Sequence, residues 1–238
     1  MRIALVFDMD GVLFDSHPLH RSAWRELLRE ARKDVSETEL EFVLEGATRE
    51  EILRHFLGPL TPQQAALYAR KKEALFREQE DRIQVIEGLQ GFLDLVESAS
   101  IPMAVATSAS RSRVTRMLKN HALAGRFVAV LTGDDVPGGK TNPAIFLRAA
   151  EQLRARASEV LVFEDATTAV KVVKRIGMKC IGIAAGNRGT RLVKAGADLV
   201  VPNFTHLELS DVMGVFQGST AGVRIVSPET PPPTAPLG

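Results

Sequence analysis

The chain has 238 residues, 45% of them hydrophobic and 25% charged, the balance of a globular protein large enough to fold without metal or disulfide staples. Lys and Arg total 30 against 29 for Asp and Glu, a formal net charge of +1, which excludes a nucleic-acid or anionic-membrane binder working through a bulk basic excess. Cys180 is the single cysteine, so a disulfide scaffold is excluded as well.

The N-terminal run MRIALVFDMDGV has five apolar residues between one basic residue and two acids, too short for a signal-peptide core. No later apolar run approaches the roughly 18 residues of a membrane-spanning helix. A cytoplasmic protein with no membrane partner is the expectation.

In chain order, unbroken apolar runs predict strands at Ile3–Phe7, Met103–Ala106, Val128–Leu131, Val160–Phe163, Cys180–Ile183 and Leu199–Val201. Such runs suit strands covered on both faces, as in a parallel sheet. Helical spacing between them predicts helices over Gln90–Ser98, Ser110–Leu118, Ala144–Arg154, Thr167–Ile176 and Thr190–Ala195, with Asn142 and Pro143 placed as an N-cap and first-turn proline. This alternation predicts an α/β fold with a doubly wound parallel sheet, Rossmann-like, whose ligands sit at the carboxyl ends of the strands.

One block interrupts the alternation. From about Pro18 to Ile83 only helical patterns occur, among them Arg49–Leu57 behind a Thr48–Glu51 capping box and a long charged helix opened by Thr61 and running to about Glu80. The organisation expected is a core of residues 1–15 and 86–217, a small inserted all-helical cap at 16–85, and a flexible tail at 218–238. The segment from Pro228 onward holds five of the 12 prolines and almost no apolar periodicity.

The first strand ends in Asp8-Met9-Asp10-Gly11. Carboxylates at i and i+2 of an extended chain point the same way, toward the edge where an open sheet binds ligands. Such a pair can hold Mg²⁺, and one member can attack phosphorus, although Asp and Gly also mark ordinary strand exits. Val160–Phe163 ends in Glu164-Asp165, a second source of metal ligands or simply the acidic first turn of a helix. Met103–Ala106 ends in Thr107-Ser108, hydroxyls able to bind a phosphoryl oxygen or to cap a helix. Gly138-Gly139-Lys140 places a cation in a flexible loop, either solvated or set against a transferred group.

The order of these four motifs, from residue 8 to residue 165, resembles the haloacid dehalogenase superfamily of aspartyl phosphotransferases. The resemblance implies Asp8 as the nucleophile and Asp10 as general acid/base, with the Asp10 main-chain carbonyl also on the metal. It implies Thr107 and Lys140 at the phosphoryl group and a Mg²⁺ shell completed by Glu164 and Asp165, Asp165 foremost. The helical insertion resembles the cap of the β-phosphoglucomutase-like branch, with His20, Gly46, Arg49, Lys72 and Ser108 at substrate-binding positions. The residue-level alternative makes Arg49 and Lys72 solvated helix charges and His20 a packing histidine. The chain departs from the family pattern at Thr141-Asn142-Pro143 after the lysine and at Ala166 and Ala169, where Ser and Gly are usual. The Ala169 methyl is expected where backbone or substrate approaches. Cys180 is expected to be inert core, Trp24 and Tyr68 to be cap packing, and His17, His55, His121 and His206 to have no site role.

The reading is a Mg²⁺-dependent phosphohydrolase acting on a small phosphorylated metabolite such as a sugar phosphate, working as a monomer or weak dimer without nucleic acid. The alternatives are a hexose-phosphate mutase using the same aspartyl-phosphate and a non-catalytic phosphometabolite-binding protein.

Overall fold

The computed structural model describes residues 3–218; the tail expected beyond Gly218 lies outside the described residues. Six parallel strands form one sheet: β1 (Ala4–Phe7), β2 (Met103–Ala106), β3 (Ala129–Leu131), β4 (Val160–Glu164), β5 (Lys179–Ile183) and β6 (Leu199–Val201). Their order is β3-β2-β1-β4-β5-β6, so the winding reverses at β1. The crevice of a doubly wound sheet opens at such a reversal, above the carboxyl ends of the strands. Register then decides which residues meet there. Phe7 pairs with Val105 on one side and Phe163 on the other, which sets Asp8 level with the ends of β2 and β4.

The apolar runs face two cores because successive side chains alternate across a strand. Leu5, Phe7, Val105 and Phe163 pack on one face with Phe92 and Val96 of α5 (Leu89–Ser98), Val114 and Met117 of α6 (Arg111–Asn120) and Val212 of a helix at Leu209–Gln217. Ala4, Val6, Val162 and Cys180 pack on the other with Ile145 and Phe146 of a helix at Ala144–Gln152, Val170 and Val173 of one at Thr167–Arg175, and Leu192 of one at Gly186–Ala195. The Phe7 and Phe163 rings stack at 4.6 Å directly beneath the strand ends. These packed rings fix the backbone from which Asp8 and Glu164 emerge.

Between β1 and α5 the described chain is helical: α1 (His17–Glu30), α2 (Glu37–Leu40), α3 (Arg49–Leu57) and α4 (Pro62–Arg77), with short 3₁₀ turns at Glu41–Leu44 and Glu80–Arg82. Thr48 with Glu51 and Thr61 with Gln64 form the reciprocal caps that open α3 and α4. Trp24, Leu27, Leu28, Leu40, Ile52, Leu53 and Phe56 make a core of their own. The chain enters and leaves this block on two segments lying side by side, where Asp15 N–H donates to Gln84 at 2.9 Å and Ile86 N–H to Leu13 at 3.0 Å.

With α6, the remaining helices are α7 (Ala144–Gln152), α8 (Thr167–Arg175), α9 (Gly186–Ala195) and α10 (Leu209–Gln217). Sequence spacing does not reveal α10, and it starts α9 four residues late, because Gly186 and Gly189 read as loop while both lie in the helix. The long charged helix of this block ends at Arg77 rather than Glu80, where the chain tightens into the 3₁₀ turn. Pro143, expected in the first turn, takes the N-cap position of the helix that starts at Ala144, and the Asn142 side chain one residue earlier accepts from Ala144 N–H at 3.0 Å.

Candidate active site

Asp8 follows the buried β1, is itself 1% exposed, and anchors its own N–H on Phe163 O at 3.0 Å. Burial pushes its carboxyl well above the usual carboxylate range, against the pull of Lys140. Lys140 Nζ lies 2.7 Å from Asp8 Oδ2 and 2.8 Å from Glu164 Oε1. Burial opposes the ammonium charge, but Asp8 and Glu164 more than restore it, so Lys140 stays protonated. The lysine reaches this position because Gly138 turns the loop in a left-handed conformation and Ser108 Oγ accepts from Lys140 N–H at 3.0 Å. Ser108 therefore carries the lysine loop, while Thr107, 1% exposed, accepts from Ala109 N–H at 3.2 Å and keeps its hydroxyl proton for a ligand.

Asp8, Glu164 and Asp165 bring carboxylate oxygens within 4.8 Å of one another, all buried. Glu164 Oε1 is filled by Lys140 and by the N–H groups of Asp165 and Ala166, each at 3.0 Å, while Glu164 Oε2 and both Asp8 oxygens accept no aligned hydrogen bond. Buried carboxylate oxygens without aligned donors are what a hard divalent cation would satisfy, so the cluster fits such an ion. The Asp10 side chain stands apart from it. Its Oδ1 accepts from Ser16 Oγ at 2.7 Å and lies 3.3 Å from His20 Nε2, and Oδ2 pairs with Arg113. Burial opposes ionisation there, but Arg113 and His20 override it and hold the carboxyl well below the usual range.

His17 corrects the sequence reading, which gave it no role: its Nε2 lies 2.7 Å from Asp165 Oδ2. Arg188 reaches the same oxygen at 2.8 Å. Burial raises the Asp165 carboxyl less than His17, Lys140 and Arg188 lower it. Two signals for these residues were present in the chain. His17 stands three residues before His20, so both share one face of α1. Arg113 and Arg188 each occupy the third position of a helix, where the macrodipole disfavours a cation and some other partner must hold it.

The helical block closes over this edge. Thr167 Oγ1 donates to Glu45 Oε2 at 2.7 Å, Thr168 Oγ1 to the Glu45 carbonyl at 2.6 Å, and Arg191 pairs with Glu45 at 3.0 Å. Gly46, in left-handed backbone, lies so close that a Cβ there would stand 2.3 Å from Thr168 Oγ1 and 3.1 Å from the Ala166 methyl. Ala169, by contrast, is fully buried in the core with Val170 and Val173 and is not among the residues lining the cleft. A cleft of about 660 Å³ remains, lined by Asp8, Asp10 and Lys140 from below and by His20, Arg49 and Lys72 from above. Lys72 is 3% exposed and so is no solvated helix charge, whereas the Arg49 side chain is 41% exposed and 3.9 Å from Glu73.

These features match the family-model comparison. Residues 5–183 match the haloacid dehalogenase-like hydrolase family. The chain belongs to that family. It is 31% identical over 202 residues to a phosphorylated carbohydrates phosphatase of Thermotoga maritima, covering 83% of this chain and 93% of the relative. It is 27% identical over 219 residues to the β-phosphoglucomutase of Bacillus subtilis, covering 87% and 92%. The fold is shared with β-phosphoglucomutase from Clostridium difficile, at a TM-score of 0.81 and 22% identity over 92% of this chain and 99% of that one. This haloacid dehalogenase-like chain is an enzyme of the phosphatase and phosphomutase group. Among its described residues no helix is long and apolar enough to cross a membrane.

Gly11 sits at the centre of the site in left-handed backbone, φ +79°, and a Cβ would meet Asp165 Oδ2 and His17 Nε2 at 2.4 Å. Gly11→Ala is therefore expected to push His17 off Asp165, to lower the unfolding midpoint by about 1–3 kcal/mol worth of stability, and to impair turnover. Denaturant unfolding and phosphate release measured on the same sample check both.

Proposed function

We propose that this protein is a Mg²⁺-dependent phosphohydrolase of small phosphorylated metabolites, sugar phosphates foremost, working through an aspartyl-phosphate on Asp8. The observation that carries the reading is Asp8 itself: a buried carboxylate at the strand end, faced by Lys140, with both oxygens short of aligned donors, at the floor of a cleft. A nucleophile needs free lone pairs and a neighbouring cation that favours its charged form, and this arrangement supplies both. Asp8, Asp165 and the Asp10 main-chain carbonyl would hold Mg²⁺, with Glu164 beside them, and the bound ion would neutralise charge on the transferring phosphoryl oxygens.

The protein's own groups do the rest. Lys140 pulls Asp8 toward its charged form against burial and, with the Thr107 hydroxyl, binds the phosphoryl group so that the attack is in line. Asp10, once it has left Ser16 and Arg113 and taken a proton from solvent, gives that proton to the leaving oxygen, and the carboxylate so formed takes the proton of the water that attacks the aspartyl-phosphate. His20, Gly46, Arg49 and Lys72 shape the roof over the sugar, and the helical block at 16–85 acts as a cap that excludes bulk water. The 31% identical phosphatase relative favours hydrolysis over mutation.

The deciding assay offers β-glucose 1-phosphate with Mg²⁺, with and without glucose 1,6-bisphosphate. Free phosphate, lost on chelation with EDTA and restored by Mg²⁺, is the expected result. Glucose 6-phosphate in its place makes the protein a mutase, and neither product leaves only a phosphometabolite-binding role.

A further inference from the structure

Two of the three buried acids have one oxygen already taken. Glu164 Oε1 carries Lys140 and two main-chain N–H groups. Asp165 Oδ2 lies 2.7 Å from His17 Nε2 and accepts at 2.8 Å from an Arg188 nitrogen, which also reaches the Asp165 carbonyl at 3.3 Å. The Gly11 backbone closes a third side, since a Cβ there would stand 2.4 Å from both Oδ2 and His17 Nε2. An oxygen so enclosed has no room for a cation. Asp165 Oδ1 accepts no hydrogen bond among the described residues, and Asp165 lines the cleft.

The enclosure is built by neighbouring strands. β4 lies between β1 and β5, so the chain leaving β1 brings Gly11 and His17 to Asp165 and the chain leaving β5 brings Arg188. His17 opens α1 behind the buried Ser16, with Pro18 fixing that first turn, and Arg188 is the third residue of α9. The Asp165 N–H donates to Glu164 Oε1 at 3.0 Å, so main chain and one carboxylate oxygen are both held.

We infer that His17 and Arg188 are positioning residues that hold Asp165 to ligation through one oxygen, and so set which divalent cation the acidic cluster accepts. The inference rests on the metal site of the proposed function and deepens it. Mg²⁺ demands near-octahedral geometry, which the narrow bite of a two-oxygen carboxylate distorts, whereas Ca²⁺ takes roughly six to eight oxygens and accepts both from one carboxylate. With Oδ2 closed, Asp165 suits the smaller ion and withholds a contact from the larger.

The test is made on the full chain without substrate, with Mn²⁺ as the octahedral probe, its free ion counted by electron paramagnetic resonance, and Ca²⁺ as competitor. The natural protein is expected to bind Mn²⁺ more tightly than Ca²⁺. His17→Ala or Arg188→Met is expected to shift the ratio of affinities toward Ca²⁺ by about 3- to 10-fold, and the double variant by about 10- to 100-fold, the range typical of residues that orient a metal ligand. The ratio decides because the two ions carry the same charge, so loss of a neighbouring cation alters both affinities alike. His17→Gln, which offers an amide nitrogen at similar reach, is expected to keep the natural ratio. Circular dichroism establishes folding. A ratio that stays constant in the folded double variant, or moves toward Mn²⁺, overturns the inference, because residues serving only the fold or the net charge would move both ions in parallel. No Mn²⁺ bound by the natural protein overturns the metal reading and the inference together. A shift toward Ca²⁺ as expected, with no phosphate released from any phosphoester, overturns the phosphohydrolase reading and leaves the inference standing.

Discussion

Asp8→Asn is expected to abolish phosphate release, with a loss of at least about 10⁴-fold, because an amide is no anionic nucleophile and is a poorer ligand for a hard cation. The substitution is nearly isosteric, and Asp8 N–H keeps its bond to Phe163, so the fold has no reason to fail. Burial already works against the charge on Asp8, so loss of that charge is expected to leave stability unchanged or slightly raised. Circular dichroism and thermal unfolding establish folding, and a coupled phosphate assay measures the rate. Turnover near that of the natural protein in a folded Asp8→Asn would overturn the covalent mechanism.

Lys140→Met has the largest expected effect on stability. Lys140 is 6% exposed and within ion-pair distance of Asp8 and Glu164. Removing it leaves two buried carboxylates facing each other, a loss of about 3–5 kcal/mol at neutral pH by analogy with other buried pairs broken on one side. The sign with pH follows from the folded pKa of Lys140, which lies above its ordinary value: its contribution is fully present below the ordinary lysine pKa and is lost only as pH rises beyond it. The deficit of Lys140→Met therefore persists at pH 7 and 8, and it narrows toward acid pH as Asp8 and Glu164 protonate. Adding Glu164→Gln, which removes one of the two stranded charges, is expected to recover part of the loss. Denaturant midpoints for the single and double variants at pH 5 and 8 check this. A Lys140→Met as stable as the natural chain would show the carboxylates already neutral and Lys140 without the role assigned to it.

The four motifs can be found in the sequence because each follows a short apolar run, and a strand buried on both faces has little freedom but to end in a polar turn. β2 and β6 fall at the limits that periodicity predicts, and the others shift by one residue. A helix hidden by glycine is less legible, as α9 shows, since Gly186 and Gly189 weaken local propensity that the packing of Leu192 into the core with Val200 restores.

Site residues divide in the same way. Asp8, Thr107, Lys140, Glu164 and Asp165 converge because the sheet winds outward in both directions from β1, placing β2 and β4 on its two sides. Local sequence delivered each carboxylate or hydroxyl to a strand end, and the α/β alternation alone implied that those ends share an edge. No local pattern could decide the partners. Glu164 turned out to fill one oxygen with Lys140 and two main-chain N–H groups, Asp165 drew His17 and Arg188, and Asp10 turned to Arg113, 103 residues away along the chain. Side chains from the helical block and from α6 and α9 meet only after two separate cores have packed, and ion pairing inside a cleft depends on that docking rather than on spacing. The chain by itself determined the sheet, the acidic edge and the class of chemistry. The tertiary structure decided which cations face which carboxylates, because burial and distance, not sequence order, set the strength of charge in a dry site.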